Sequence, residues 1–313
     1  MHINLPDVST EVSFTLKDTL RYAGKRDYFR SCVNVLRKHG YTFSRGYDCI
    51  VTSTIPITAG TSSSSALVVS WIHFLSLIAD NPTPLTREEM GSLAYEAEVL
   101  EFSEPGGMMD QYSTAMGGLI FLESQPAIKI TPLQVGLGAF VLGNSNQQKD
   151  THGILARVRG QATAALEAAR RHLPDFSFHT ARRDDLRHLR GRVSPDELAM
   201  LETTIMNRDL TFEARELLLH ENVDHKRIGS MLIEHQKHLR DTLRISTPKI
   251  DAMIDAAMKA GALGAKINGS GGGGCMFAYA PDNAQRVAEA VGAIGEAMIV
   301  SVDEGTRREH HDA

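Results

Sequence analysis

The segment Lys266–Cys275 reads KINGSGGGGC and holds five glycines in six consecutive positions, Gly269 and Gly271–Gly274. Each glycine in an ordered segment costs roughly 0.5–1 kcal/mol relative to alanine, because its backbone has more freedom to lose. A loop that brings backbone N–H groups close to a phosphate would need such residues, since a Cβ atom would clash with the ligand. A flexible linker is the alternative.

The neighbouring sequence favours the anion-binding loop over the linker. Before the run, Pro248–Leu263 has apolar residues at helical spacing, and after it CMFAYAP predicts a buried strand that stops at Pro281. The run also satisfies G-x-G-x-x-G, but a dinucleotide fingerprint opens a helix, whereas here a strand follows. We therefore expect a phosphate-binding loop of another architecture.

A second motif, Pro56–Ser65, reads PITAGTSSSS and leads into Ala66–Ala79, which predicts a helix apolar on nearly every side. A helix N-terminus carries about half a positive charge and free N–H groups, so it binds phosphate readily. One serine would suffice to cap the helix. Four consecutive serines, Ser62–Ser65, exceed that need and favour a phosphate site, with plain N-capping as the alternative.

Two carboxylates, those of Asp110 and Glu98, are the remaining candidates for a role in chemistry. Asp110 stands in EPGGMMDQ, where glycines before an acidic residue allow a tight turn that directs the carboxylate into a cleft; an ordinary glycine-rich turn is the alternative. Glu98 follows Ala94 by four residues and Ala97 by one, so it projects from the small apolar face of its predicted helix. An inward carboxylate needs a cation or a donor, and a magnesium ion bridging phosphates would serve. The alternative is a partly exposed pair with an arginine such as Arg87.

Hydrophobic spacing predicts the elements that position these residues. Asp27–His39 predicts an amphipathic helix, and a capping box at Thr86–Glu89 opens a second helix that runs to about Phe102. GYDCIVTSTIPI alternates in the manner of a strand, and LIFLES and GAFVLGNSN also predict strands. Helices and strands are therefore mixed along the chain, which indicates an α+β class.

The second half of the chain is more charged. Thr151–Glu221 predicts helices, and RRHLPDFSFHTARRDDLRHLRGR within it has the least regular pattern. His235 and His238 have a spacing that suits a metal site, but no third ligand is evident, so we expect surface or capping residues. A domain boundary near Pro132–Gly138 gives domains 1–135 and 136–313.

Composition excludes several classes of protein. The chain has 313 residues, of which 42% are hydrophobic, and a formal net charge of −5 without a basic stripe, so we expect no nucleic-acid partner. Three cysteines are too few and too scattered for a disulfide framework or a zinc site, which suits the cytoplasm. No run approaches the length of a membrane span, and the first residues do not predict a signal peptide.

Taken together, the motifs resemble those of the GHMP kinase superfamily, and most closely its galactokinase-like sugar kinases. PITAGTSSSSA is similar to the family's nucleotide loop, GGMMDQ is nearly the galactokinase form of the catalytic segment, and KINGSGGGGC is similar to the third motif. The resemblance covers roughly Arg45 to the end. It implies a two-domain fold, with an N-terminal domain like ribosomal protein S5 domain 2 and a ferredoxin-like C-terminal domain.

The resemblance also implies roles for individual residues, with ATP and Mg2+ as cofactors. Asp110 would be the catalytic carboxylate, Glu98 and Ser64 the metal ligands, and Gly106 and Gly107 would contact the substrate beside Asp110. Nucleotide binding would fall to residues of the segment Pro56–Ser65 and of the glycine run: Pro56, Gly60, Ser62, Ser63, Ser64, Ser65, Gly269, Gly271, Gly272 and Gly273.

The implied reaction is phosphorylation of a hydroxyl group on a small molecule, most simply a monosaccharide, by a monomer or homodimer. A mevalonate-type kinase is an alternative, which GGMMDQ disfavours. The family's first motif, rich in Pro, Gly and Arg and often holding Gly-Glu-His, is not found before Arg45. We therefore expect an N-terminal domain truncated at its start and, as a further alternative, a non-catalytic regulator that binds a nucleotide or a sugar.

Overall fold

The structure, a computed structural model, describes residues 1–17, 19–57, 60–148, 151–220 and 222–309, apart from the side chains of residues 151 and 152. The chain forms two compact units. Met1–Ile57, Ser62–Pro132 and Asp303–Ala313 make the first unit, and Thr58–Thr61 with Leu133–Val302 make the second. The domain boundary between residues 135 and 136 stays a prediction. Among the residues that the structure describes, no helix has both the length and the apolar character that a membrane span requires.

The first unit combines small sheets with helices. In its three-stranded sheet, β1 (His2–Leu5) pairs antiparallel with β2 (Thr10–Ser13) and parallel with β3 (Asp48–Ile50). Strand β3 has only three residues and is shorter than the alternating segment predicted there. The other elements of this unit are α1 (Tyr28–Lys38), α2 (Ser63–Ile78), α3 (Arg87–Tyr95), α4 (Met109–Met116) and the two-stranded sheet of β4 (Leu119–Glu123) and β5 (Lys129–Leu133).

Helices α1 and α2 build the core of this unit, as their sequence patterns predict. The side chain of Asp27 accepts a hydrogen bond from Arg30 N and caps α1. Val33 of α1 and Ile72 of α2 are fully buried in the same apolar cluster. Burial of each such side chain contributes roughly 1.5–3 kcal/mol. Helix α2 begins at Ser63, three residues before the predicted start at Ala66, so that its serines form the first helical turn.

The predicted helix from Thr86 to Phe102 is divided into two parts. Its capping box is confirmed, because Thr86 Oγ1 accepts from Glu89 N at 3.2 Å and Glu89 Oε2 accepts from Thr86 N at 2.8 Å. The α-helical part ends at Tyr95, and Glu96–Leu100 forms a π-helical turn. Such turns are rare and frequently mark functional sites. Glu98 lies at the centre of this one.

The second unit holds a four-stranded antiparallel sheet in the order β7-β8-β6-β9. With helices joining β6 to β7 and β8 to β9, this order is the ferredoxin-like arrangement that the family resemblance implied. Apolar side chains of α8 and α9, among them Met253 and Val287, pack with Ala278 of β8 in one cluster. The elements are β6 (Phe140–Asn144), α8 (Pro248–Lys259), β7 (Gly264–Ile267), β8 (Cys275–Tyr279), α9 (Ala284–Gly292) and β9 (Glu296–Val300).

A helical layer consists of α5 (Thr151–Arg170), α6 (Pro195–Leu218) and α7 (His225–Asp241). The arginine-rich segment between α5 and α6 has more structure than its sequence pattern indicated. It contains a 3-10 turn at Arg183–His188 and buries Phe176 and Leu189 in a cluster with residues of α5 and α6. Its aromatic and leucine residues find apolar partners that are distant in sequence.

The expectation that His235 and His238 are surface or capping residues is wrong for His238. His238 is buried, and its Nδ1 lies 2.6 Å from Asn207 Oδ1 of α6. Among the described residues, no group of three His, Cys, Asp or Glu side chains is arranged to hold a metal ion. Burial, followed by the nearby Lys266 and His238, lowers the pKa of His235 to about 4.

This lowered pKa predicts a loss of stability in mild acid. The folded protein resists protonation of His235, whereas the unfolded chain takes up the proton near pH 6.5. The free energy of unfolding should therefore fall as the pH drops from about 6.5 to about 4. His235→Gln should remove about 1–3 kcal/mol of that fall, as judged from about 1.4 kcal/mol per unit of pKa and partial solvent screening. Urea unfolding from pH 4 to 7 measures it, with the exposed His179→Gln as control; an unchanged slope in H235Q would contradict the account.

Candidate active site

The serines of the second motif lie at the N-terminus of α2. Ser62 adopts a left-handed conformation with φ 57°, and its side chain does not cap the helix. The backbone hydrogen bond from Ala66 N to Ser62 O is 2.9 Å long. The N–H groups of Ser63–Ser65 come before it in the chain and lie in the first helical turn. Plain capping by the Ser62 side chain is therefore not what the structure shows. N–H groups in a first helical turn have no partner within the helix and are suited to bind a phosphate.

The residues around these serines differ in environment. Ser63 and Ser64 are half-buried, whereas Ser65 is only 2% exposed. Upstream, Pro56 is half-buried, and Gly60 has φ 83° and groups with the second unit. There the Gly60 carbonyl accepts a hydrogen bond of 2.9 Å from Asn268 Nδ2, just before the glycine run.

Glu98, Gln111 and Ser65 form a buried network in the first unit. Gln111 Nε2 donates to Glu98 Oε2 at 2.6 Å and to Ser65 Oγ at 3.3 Å. The exposed fractions are 7% for Glu98 and 3% for Gln111. The inward orientation predicted for Glu98 is thus confirmed, and the exposed pair with Arg87 is excluded, because Arg87 donates to the Met116 carbonyl instead.

The donor set around Glu98 fits a magnesium ion. No Lys, Arg or His of the described chain forms an ion pair with Glu98, and Gln111 Oε1 is buried without a hydrogen-bond donor. A buried carboxylate without a cation is costly. Magnesium is usually bound through one or two carboxylates together with substrate phosphates, so Glu98 with a hydroxyl group would suffice. Bound there, the ion would neutralise charge on the transferred phosphoryl group.

The negative charge of Glu98 also acts on its neighbours in α1. Burial, and after it the charge of Glu98, raises the pKa of Tyr28 to about 12. The same two causes, in the same order, raise the pKa of the fully buried Cys32 thiol. Both side chains therefore stay protonated and uncharged at neutral pH, and neither adds a second negative charge beside Glu98.

Asp110 is the second residue of α4 and is exposed. In the described chain no side chain donates a hydrogen bond to its carboxylate and none forms an ion pair with it. An exposed, unpaired carboxylate is accessible to a substrate hydroxyl group, as a general base must be.

The two glycines predicted to contact the substrate have no structural reason to be glycine. Neither Gly106 nor Gly107 has a positive φ. A Cβ atom at Gly107 would meet nothing within 4 Å, and one at Gly106 would meet only Val99, at 3.8 Å. The tight turn inferred from the sequence is therefore not the reason for these glycines. Close approach of a substrate to the backbone stays a prediction.

Other carboxylates near this motif are already neutralised. Glu101 accepts hydrogen bonds from the Tyr22 hydroxyl and from Lys38, with which it forms an ion pair. Glu104 accepts from Arg26 at 3.0 and 3.1 Å. Glu98 thus differs from both, since it alone of these three has no ion pair within the described residues.

The glycine run connects β7 to β8 in the second unit. The sequence predicted the strand after the run but not β7 before it. All five glycines have positive φ, from 66° at Gly269 to 125° at Gly273, a region that other residues rarely adopt. The run is thus an ordered hairpin loop, and the linker alternative is excluded.

Packing within the protein explains part of the glycine requirement. A Cβ atom at Gly271 would lie 2.6 Å from Ile245 Cβ, and one at Gly272 would lie 2.1 Å from Ile154 Cδ1. At Gly271 a Cβ atom would also meet the Ile245 backbone oxygen at 2.6 Å, so the protein itself requires glycine there. At Gly272 it would meet only the flexible end of the Ile154 side chain.

Hydrogen bonds anchor the loop at alternate residues. Gly272 N donates to Ile245 O at 2.6 Å and Gly274 N donates to Gln147 O at 3.0 Å. No carbonyl of the described residues accepts from the N–H groups of Gly269, Gly271 or Gly273. Three N–H groups of the run are thus available, and anion binding by them stays a prediction.

We expect Gly273→Ala to weaken ATP binding by about tenfold or more. Its φ of 125° suits glycine alone, and a Cβ would lie 3.0 Å from Gln147 O, so the loop must change shape. Each lost hydrogen bond to a charged phosphate is worth about 1.5–3 kcal/mol. Gly40→Ala is the matched control, because φ is 90° there and the new Cβ meets nothing within 4 Å. Calorimetric titration with ATP measures both; equal affinity in G273A and G40A would exclude the loop from nucleotide binding.

Two family models match the chain. The one described as "GHMP kinases N terminal domain" matches residues 27–118, and "GHMP kinases C terminal" matches residues 214–297. The first match begins ahead of Arg45, where the resemblance of the motifs was judged to start. It contains the Ser65–Gln111–Glu98 network and Asp110, and the second contains the glycine loop.

Individual proteins that are similar to this chain are also kinases, and they are of two kinds, mevalonate kinase and galactokinase. A mevalonate kinase of Thermococcus gammatolerans is 32% identical over 288 residues, which span 90% of this chain and 75% of that protein. A galactokinase of Streptomyces coelicolor is 30% identical over 251 residues, spanning 76% of this chain and 62% of that protein. The crystal structure of Lactococcus lactis galactokinase complexed with galactose superimposes with a TM-score of 0.78 at 20% identity, over 97% of this chain and 82% of that one.

Proposed function

The chain belongs to the GHMP kinase family and phosphorylates a small molecule, and we propose that the acceptor is a monosaccharide hydroxyl group, with ATP as donor and Mg2+ as the metal. The observation that carries the proposal is the buried Ser65–Gln111–Glu98 network. It joins a residue of the serine motif, a buried carboxylate without an ion pair and the neighbour of Asp110.

The roles of the individual residues follow from the chemistry of phosphoryl transfer, which depends mainly on positioning and on neutralising charge. Glu98, with Ser64 as the predicted second ligand, would hold the magnesium ion. Asp110 would accept or orient the proton of the attacking hydroxyl group. The first turn of α2 would bind phosphate groups of ATP, and the free N–H groups of the glycine loop are likewise suited to bind an anion.

A monosaccharide acceptor is favoured by the segment GGMMDQ, which is nearly the galactokinase form of the catalytic segment. A sugar would be bound through hydrogen bonds, whereas mevalonate carries a carboxylate, which a binding site would pair with a cation.

Mevalonate is the second candidate, because the mevalonate kinase of Thermococcus gammatolerans shares 32% identity with this chain. ADP release from Mg·ATP should be measured with a panel of hexoses, pentoses and mevalonate, and products identified by 31P NMR, with Asp110→Asn as the background. Turnover of a sugar would support the proposal, and turnover of mevalonate alone would replace it. Nucleotide binding without turnover of any compound in the panel would mean that the acceptor is neither a common monosaccharide nor mevalonate. A cytoplasmic monomer or homodimer remains our expectation.

A further inference from the structure

The orientation of the Gln111 side-chain amide is fixed by its neighbours. If the amide were turned over, its oxygen would face Glu98 Oε2 across 2.6 Å, and two acceptors would repel each other. With the observed orientation, both N–H bonds of Nε2 are used, one by Glu98 and one by Ser65. The amide therefore has a single arrangement that satisfies the network.

In this arrangement the two carboxylate oxygens of Glu98 differ in their hydrogen bonding. Oε2 accepts the short, charge-assisted hydrogen bond from Gln111, whereas no residue of the described chain donates to Oε1. At the other end of the amide, Gln111 Oε1 is buried without a donor. Leaving a buried acceptor unsatisfied costs about 1–3 kcal/mol, so a purely structural glutamine is a poor explanation.

We propose that Gln111 is a positioning residue for the metal site, which rests on the proposed function: its amide holds Glu98 Oε2, presents Glu98 Oε1 to the cation, and is itself held by Ser65. The donor that Gln111 Oε1 lacks then arrives with the hydrated cation, since magnesium keeps several of its water molecules when it binds to proteins. Residues that hydrogen-bond to metal ligands typically change metal affinity by 10–100-fold when they are replaced.

Gln111 is also the neighbour of the predicted catalytic carboxylate. It follows Asp110 directly on α4, so the side chain that holds Glu98 and the predicted catalytic carboxylate belong to the same helical turn. Gln111 thereby ties the first turn of α4 to the π-helical turn that carries Glu98 and, through Ser65, to the first turn of α2. Loss of the amide should loosen the metal site before it affects the fold.

The test compares Gln111→Met, which keeps the shape and removes the hydrogen bonds, with the same change at Gln236. Gln236 is a matched control, because it is 4% exposed, donates to Ser246 Oγ at 3.1 Å and accepts from Ile267 N at 2.9 Å, all within the second unit. Binding of Mn2+ to the ADP complex is followed by electron paramagnetic resonance, which does not depend on turnover. Thermal unfolding without metal reports on the fold.

We expect Gln111→Met to weaken Mn2+ binding by about 10–100-fold, with a matching shift in the magnesium concentration for half-maximal activity. Gln236→Met should lower the unfolding temperature without weakening Mn2+ binding. Ser65→Ala should weaken Mn2+ binding only a few-fold, because it removes the longer, neutral contact, and it tests the proposal if Q111M does not fold.

Wild-type Mn2+ affinity in a folded Gln111→Met, or in Ser65→Ala if only that variant folds, would overturn the positioning role and leave the proposed function standing. Absence of Mn2+ binding by the unmodified protein in the presence of ADP would overturn both.

Discussion

Asp110→Asn is expected to lower the turnover number by about 10²–10⁴-fold, the usual contribution of a positioned acid–base group. The amide keeps the shape of the side chain and removes its charge, so ATP binding should stay nearly intact. Asp110 is exposed at the second position of α4 and has no ion pair within the described residues, so no rearrangement of the protein is expected. Steady-state kinetics together with ATP titration separate the two effects.

A matched control exists for this substitution. Asp196 is likewise an exposed aspartate at the second position of a helix, α6, so Asp196→Asn removes the same charge from the same helical position. Its effect on turnover should be less than about twofold, since surface changes away from a site are nearly neutral. A loss of turnover below about tenfold in D110N, with D196N as the reference, would assign the proton transfer to another group.

Glu98→Gln is the second large effect that we expect, and it has two parts. The magnesium concentration for half-maximal activity should rise by at least tenfold, because the site loses its charged ligand. The metal-free variant should unfold at the same or a higher temperature than the unmodified protein, because a buried carboxylate without a cation is removed. A residue that serves only the fold would show the opposite change in stability.

Glu101→Gln is the control for this variant. Glu101 lies on the same segment but is neutralised by Lys38 and Tyr22, so its replacement should leave the magnesium dependence unchanged. If E98Q shows the unmodified protein's magnesium dependence while E101Q does not, the metal ligand is Glu101 and the account of Glu98 is wrong.

Local patterns predicted much of the fold. The apolar spacing of α1, the capping box of α3 and the apolar runs of β6 and β8 are each visible within a few residues. Strand β7 was missed, because Gly264–Ile267 is short and lies between a helix and a glycine run that dominate the pattern. The ordered segment between α5 and α6 was also missed, since Phe176 and Leu189 acquire apolar partners only in the folded chain.

The sequence predicted which residues belong to the site better than it predicted why they are needed there. Motif resemblance identified Glu98, Asp110 and the glycines, but the contacts of Gly271 and Gly272 with Ile245 and Ile154 join residues far apart in sequence. Gln111 was read only as the end of the catalytic segment. Its link to Glu98 and Ser65 depends on how α4, the π-helical turn and α2 pack, which no local pattern specifies.

The central claim is that Glu98 holds the metal of a kinase site together with the network around it. A crystal structure of the protein with Mn2+ and a non-hydrolysable ATP analogue tests this most directly, since manganese is located by its anomalous scattering. The account predicts a manganese peak at coordination distance from Glu98 Oε1, with Gln111 Nε2 still on Oε2. Manganese and nucleotide bound in the crystal with no metal at Glu98 would contradict it.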